Sequence, residues 1–139
     1  MKLLGFALAG ALTLSAFTTA FAADDFLTIQ LKDGPVVIEL LPKIAPKHVE
    51  RLKELATAGQ YDNVAFHRVI DGFMAQTGDV EYGNMGKNFD ARRAGMGGSD
   101  KPDLPAEFSK TPFERGTVGM ARSQDPNSAN SQFFIMFDQ

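Results

Sequence analysis

Arg68 stands beside His67 in FHRVIDGFMAQTGD, residues 66–79, among Phe66, Val69, Ile70, Phe73 and Met74. An arginine keeps its proton and offers only hydrogen-bond donors, so Arg68 can donate, orient or pair but cannot act as nucleophile or general base. Other chemistries fail on residue type or spacing. The chain has no cysteine, which removes thiol chemistry and Cys-based metal sites. Its two histidines, His48 and His67, lie on separate segments without a ligand spacing, so no metal site is expected and both read as structural. Ser131, His67 and Asp79 could be gathered into a hydrolytic triad, but no nucleophile-elbow pattern surrounds any serine. Gly86-Lys87 fails as a phosphate loop, with Glu81 where the first glycine belongs and Asn88 where Ser or Thr should follow.

An arginine, aromatic side chains and amides remain, and one reaction asks for little more. Rotation about an X-Pro bond breaks no covalent bond; its barrier of roughly 18–20 kcal/mol comes from amide resonance. A donor aimed at the prolyl nitrogen lone pair weakens that resonance, and an apolar cup holds the ring while the preceding carbonyl swings. Phe73, Met74 and Phe134 could supply such a cup or could equally be plain core.

These residues must be positioned by flanking elements. Leu27, Ile29 and Leu31 alternate with polar residues, Asp33-Gly34-Pro35 supplies a turn, and Val36, Val37, Ile38 and Leu40 resume, which predicts an opening β-hairpin. Pro42 and Pro46 then punctuate the entry to a helix carrying Val49, Leu52, Leu55 and Ala56 at helical spacing, with Gly59 at its stop. The charges on its other face read as a solvated surface. Val64 to Thr77, interrupted by Asp71-Gly72, predicts a second strand pair. Glycines at 83, 86, 95, 97 and 98 with Pro102, Pro105 and Pro112 mark a long irregular loop from about Val80 to Arg115. Gly116–Ala121 and Gln132–Phe137 read as two buried strands joined by SQDPNSANS.

The 139 residues, 44% hydrophobic and 22% charged, fit one globular domain. Residues 1–22 run from Lys2 through an apolar stretch to Ala20-Phe21-Ala22, the order of a secretory signal, with cleavage expected after Ala22. Only Lys2 is lost with that segment, leaving 13 basic against 17 acidic residues, a net of −4, so nucleic acid is not an expected partner. The apolar run is broken by Thr13, Ser15, Thr18 and Thr19 without a basic stop-transfer cluster, so no stable membrane anchor is expected.

FHRVIDGFMAQTGD taken together with GMARSQDPNSANSQFFI, residues 119–135, closely resembles the two signature segments of cyclophilin-type peptidyl-prolyl isomerases. The resemblance covers everything after the signal. It implies a mainly β fold, a closed eight-stranded antiparallel barrel capped by two helices. It also implies a peptidyl-prolyl cis-trans isomerase without cofactor, working on proline-containing peptides and unfolded exported proteins in the periplasm, and a monomer when complete. Position by position, it places the catalytic arginine at Arg68 and the proline-pocket residues at Phe73, Met74 and Phe134. The arginine-steadying glutamine falls on Gln76, a substrate-side glutamine on Gln132, and the stretch running along the bound peptide on Ala121 and Arg122. A non-catalytic holdase using the same groove is the alternative.

Two departures stand out. Arg122 replaces the asparagine of many members, putting a second cation near the peptide groove, and Asp71 replaces a frequent proline in a turn that suits either. The family's domain runs on through more strands and a second helix that carry the pocket's far wall. Residues 23–139 are therefore expected to form an isomerase domain incomplete at its C-terminal end, with an open edge beside FFIMFDQ and no activity alone.

Overall fold

The computed structural model describes residues 25–138, so the expected export signal over residues 1–22 lies outside the described residues. The described residues open with strand β1 (Phe26–Leu31) and strand β2 (Gly34–Glu39), paired antiparallel from Phe26 opposite Glu39 to Leu31 opposite Gly34. The turn itself is Lys32-Asp33, so Gly34 and Pro35 already belong to β2; Pro35 faces Gln30 on a two-stranded ribbon, where its missing N–H is tolerated.

Helix α1 (Pro46–Thr57) follows, with Pro46 in its first turn. Its C-terminus closes as a Schellman motif: Gly59, at φ +68°, donates to the Ala56 carbonyl and Gln60 to the Leu55 carbonyl. Its N-terminus has no local cap, because Ala45 precedes it. The Glu107 carboxylate arrives from the distant loop instead, accepting from the Lys47 and His48 backbone N–H groups at 3.0 and 3.1 Å. Val49 and Leu52 face Ile38, Leu40 and Phe133, so the helix joins the hairpin to the second sheet through one apolar cluster.

That second sheet contains strands β3 (Arg68–Ile70), β4 (Met74–Thr77), β5 (Val118–Met120) and β6 (Phe133–Met136), all antiparallel in the order β3-β4-β6-β5. The 3–4 turn is closed by Phe73 N–H donating to the Ile70 carbonyl, with Gly72 at φ +69°. Its third position needs a left-handed backbone, which glycine adopts without a Cβ clash.

The expected closed eight-stranded barrel with two capping helices is not what forms. Closure needs one continuous ladder with tilt and stagger matched around the ring. The described residues form one helix and six strands of three to six residues, split between a two-stranded and a four-stranded sheet with no ladder between them. The expected edge beside FFIMFDQ is also displaced: β6 is paired on both sides, and the sheet's edges are β3 and β5.

The loop from Val80 to Arg115 carries almost no regular structure, yet it is tied down by buried polar groups. Arg51, 7% exposed on α1, donates to the Pro102 and Asn130 carbonyls. The Asn130 side chain in turn accepts from Ser99 and donates to the Lys101 carbonyl and the Asp103 carboxylate. These contacts replace a strand ladder in satisfying the loop's backbone. Among the described residues no helix is long and apolar enough to cross a membrane.

Candidate functional site

The registers of the four-stranded sheet put the chemistry on one line. Arg68 lies opposite Gln76, Gln76 opposite Phe134, and Phe134 opposite Gly119. Directly opposed residues of antiparallel strands share a face, so these four form a row across β3, β4, β6 and β5. Met74, two residues before Gln76, shares that face and pairs with Met136.

Along the row, side-chain amides form a directed series. The Gly97 carbonyl, which can only accept, receives Gln132 Nε2 at 2.8 Å. Gln132 Oε1 then receives Gln76 Nε2 at 2.9 Å, and Gln76 Oε1 is left facing Arg68 Nη1 at 3.5 Å. Arg68 is exposed and its bond to Gln76 is long, so the guanidinium is aimed rather than clamped. Its remaining donors are free to meet a bound group.

Beside the cation lies an apolar wall. Phe134 stacks on Phe113 with ring centroids 5.7 Å apart and planes 27° apart. Both rings lie over Gly119, where a Cβ would stand 2.6 Å from Phe113 Cε1 and 2.7 Å from Phe134 Cζ. Met74 is 2% exposed and forms floor, whereas Phe73, on the tight turn, is 46% exposed and presents its ring at the rim. Arg68, Phe73, Met74, Gln76 and Phe134 all line one concavity of about 1,410 Å³, as do Ala121 and Arg122. This concavity wraps strand β5 and continues along the other face of the sheet past Val118 and its partner Ile135 on β6.

Of the residues singled out from the sequence, Gln132 alone does not line the concavity; it stands behind Gln76 and reaches the site through it. Ala121 extends the β5–β6 ladder by donating its N–H to the Gln132 carbonyl at 2.9 Å. Arg122 bends back on its own loop, donating to the Ser123 carbonyl at 2.8 Å, and its guanidinium lies 5.9 Å from the centre of the Phe108 ring.

No hydrolytic triad assembles. Ser131 is fully buried and donates its hydroxyl to the Gly78 carbonyl at 2.7 Å. Asp79 is fully buried too, with its oxygens occupied by backbone N–H groups of Glu81, Tyr82, Gly95 and Gly97. His67 packs beneath Gly95, where a Cβ would come within 2.8 Å of the ring, and neither of its nitrogens makes a hydrogen bond of ordinary geometry. Burial lowers its pKa; the Asp79 charge and the nearby Gln132 amide oppose that shift, and Arg68 adds to it. The result is a neutral ring at pH 7, fit to pack and not to shuttle protons.

A family model described as Cyclophilin type peptidyl-prolyl cis-trans isomerase/CLD matches residues 26–139. This chain belongs to the cyclophilin family. Over 130 residues it is 68% identical to a probable peptidyl-prolyl cis-trans isomerase of Brucella suis, which covers 92% of this chain and 66% of that protein. The chain thus spans just under two thirds of that relative's length. A peptidyl-prolyl cis-trans isomerase of Arabidopsis thaliana is 41% identical over 106 residues, covering 76% of this chain and 20% of that one. Among solved structures, a cyclophilin from Hirschia baltica superposes with a TM-score of 0.67 at 27% identity, over 84% of this chain and 58% of that one. A Cryptosporidium parvum cyclophilin type isomerase, solved in the presence of the dipeptide Ala-Pro, also gives 0.67, at 30% identity over 82% and 68% of the two chains.

Three parts of this cyclophilin site escape a reading of the sequence. Phe113 sits in an irregular Pro-containing loop, so no periodicity marks it as a partner of Phe134. Gly119 shows its purpose only once the register sets it opposite that ring. Asp79 ends the first signature segment and meets the groove only through the Gly95 backbone N–H, so only the loop it gathers reveals its place.

Proposed function

We propose that this protein is a peptidyl-prolyl cis-trans isomerase of exported polypeptides, in which Arg68 acts on the rotating X-Pro bond. The observation that carries the reading is the guanidinium aimed by the Gln76 amide and standing on the same sheet row as an aromatic wall. The wall formed by Phe73, Met74, Phe113 and Phe134 takes the proline ring and excludes water from it. With the ring held, a free Arg68 N–H donates to the prolyl nitrogen as the nitrogen pyramidalises. That bond exists only when resonance is broken, so it stabilises the transition state more than either planar isomer.

The Cryptosporidium isomerase was solved in the presence of Ala-Pro, which supports X-Pro peptides as ligands of this groove. A holdase would need the aromatic wall but not a cation steadied by two glutamines, which favours catalysis over passive gripping. Export to the periplasm rests on the Lys2, apolar and Ala20-Phe21-Ala22 order of the first residues. Cell fractionation, with N-terminal sequencing of the mature form expected to begin at Ala23, tests it.

For the chemistry, Arg68→Ala in the full-length protein removes one transition-state donor. Turnover of a short X-Pro peptide should fall about a hundredfold or more, equivalent to on the order of 3 kcal/mol, while peptide affinity changes far less. A folded variant that isomerises at the parent rate would exclude this role for Arg68.

A further inference from the structure

A buried carboxylate with no cation beside it needs compensation from hydrogen bonds, and Asp79 obtains it from four backbone donors. Oδ1 accepts from Glu81 at 3.0 Å and Tyr82 at 2.9 Å; Oδ2 accepts from Gly95 at 2.7 Å and Gly97 at 3.0 Å. The carboxylate therefore gathers the start and the middle of the irregular loop around itself. Gly97 fits only because it lacks a side chain: a Cβ there would lie 2.5 Å from Asp79 Oδ1 and 2.7 Å from Glu81 Cβ. The residue whose N–H is held by Asp79 is also the one whose carbonyl receives Gln132.

We infer that Asp79 is a positioning residue for Arg68, acting through Gly97 and the two glutamine amides in series. The direction of every bond in the series follows from its starting point. A carbonyl at Gly97 obliges Gln132 to present its NH₂ backwards and its oxygen forwards; Gln76 must do the same, and its oxygen then faces the guanidinium. Were Gln132 free to turn over, its NH₂ would meet that of Gln76 or force it to turn. A donor would then face Arg68, and the guanidinium would be pushed off the row. Gln132 accordingly contributes from behind the groove.

This inference rests on the isomerase reading for its kinetic consequence, but the aim of the guanidinium can be followed separately. In the full-length protein labelled with ¹⁵N, the Arg68 Nε–H and Gln76 side-chain NH₂ resonances report the series directly. Gln132→Leu removes both the donor to Gly97 and the acceptor for Gln76, and Gly97→Ala forces Asp79 and the loop apart; Asp79→Asn removes the anchor itself. Each should move both sets of resonances and lower kcat for an X-Pro peptide about tenfold, with KM within about twofold, since a small misplacement of a catalytic group is felt mainly in the transition state. Once Gln76→Leu has broken the series, Gln132→Leu should cost less than about twofold more, whereas two merely structural residues would show independent losses. Unmoved Arg68 and Gln76 resonances in folded Gln132→Leu and Gly97→Ala proteins, or additive losses in the double variant, overturn the inference. An inactive parent protein would instead overturn the isomerase reading, and the resonances would still decide whether the series aims Arg68.

Discussion

Gly119→Ala adds one methyl group at the centre of the aromatic wall and nothing else. The backbone of Gly119 is not left-handed, so the substitution brings no strain of its own. Its whole effect must come from the two rings above it. The new Cβ would stand 2.6 Å from Phe113 Cε1, 2.7 Å from Phe134 Cζ and 3.1 Å from Phe113 Cζ. Ordinary carbon contacts begin near 3.5 Å, so one or both rings must retreat by roughly 0.8 Å.

Phe134 is anchored in β6 between two strands, with its neighbour Phe133 only 3% exposed in the core. Phe113 sits in a loop and is half exposed, so it should give way first and open the stack. Overpacking of this kind typically costs about 1–3 kcal/mol, and the loop ring's freedom points to the lower end. The denaturant midpoint should therefore fall slightly, while affinity for an X-Pro peptide drops by about fivefold or more, because the cup has lost one wall. Titration followed by heteronuclear NMR gives the affinity, and the Phe113 ring resonances report the displacement. Because Arg68 lies three strands from Gly119 on the row, kcat at saturating peptide should change less than KM. Unchanged affinity and unchanged Phe113 shifts would refute the assignment of the Phe113–Phe134 stack to the proline cup.

Acid should find His67: its folded pKa lies below the ordinary 6.5, so the unfolded chain takes the proton first and stability present above about pH 6.5 is lost as pH falls below it. Urea midpoints at pH 7.5 and 5.5 should show a loss in the parent that is smaller in His67→Asn. Glu107→Ala, which strips the Lys47 and His48 N–H groups of their acceptor, should cost about 1 kcal/mol, and Ala45→Asp, supplying a local cap, should recover most of it in the same urea assay. Arg122 should favour acidic residues beside the proline only a few-fold, by roughly 1 kcal/mol or less, since its guanidinium is shared with the Ser123 carbonyl; the preference should fade with salt and vanish in Arg122→Asn when Glu- and Lys-flanked peptides are compared.

Local chemistry makes the hairpin, the helix and the second strand pair legible, because each carries its own start and stop: alternating apolar residues in β1, Pro46 and Gly59 around α1, Gly72 between β3 and β4. The helix cap is not legible, since Glu107 lies some 60 residues from the N–H groups it accepts. The barrel fails for a related reason. Closure is a property of how ladders join, and strand signals say nothing about whether the β1–β2 ribbon bonds to the other sheet. The site residues are marked by resemblance and not by periodicity: on pattern alone Phe73, Met74 and Phe134 are core, and only the register shows that Gln132, which the resemblance puts on the peptide side, is bonded to Gln76.

If Arg68 is the donor of the proposed isomerase, the spacing of the row explains why an arginine is needed there and why it needs support. Adjacent strands lie about 4.8 Å apart, so from Arg68 on β3 to Phe134 on β6 is two spacings, roughly 10 Å. A ring seated on Phe134 is within reach of β3 only for a long side chain laid across Gln76. Lysine has comparable length, but its ammonium is a compact, strongly hydrated point charge without a fork. A guanidinium can give one N–H to Gln76 Oε1 and still offer others in the same plane toward the cup. The support has to come from an acceptor fixed in direction, because a glutamine amide can rotate to present either end. On the isomerase reading, two amides in series from the part-buried Gly97 carbonyl supply that direction without placing a carboxylate beside Arg68, where a salt bridge would draw its charge away from the prolyl nitrogen.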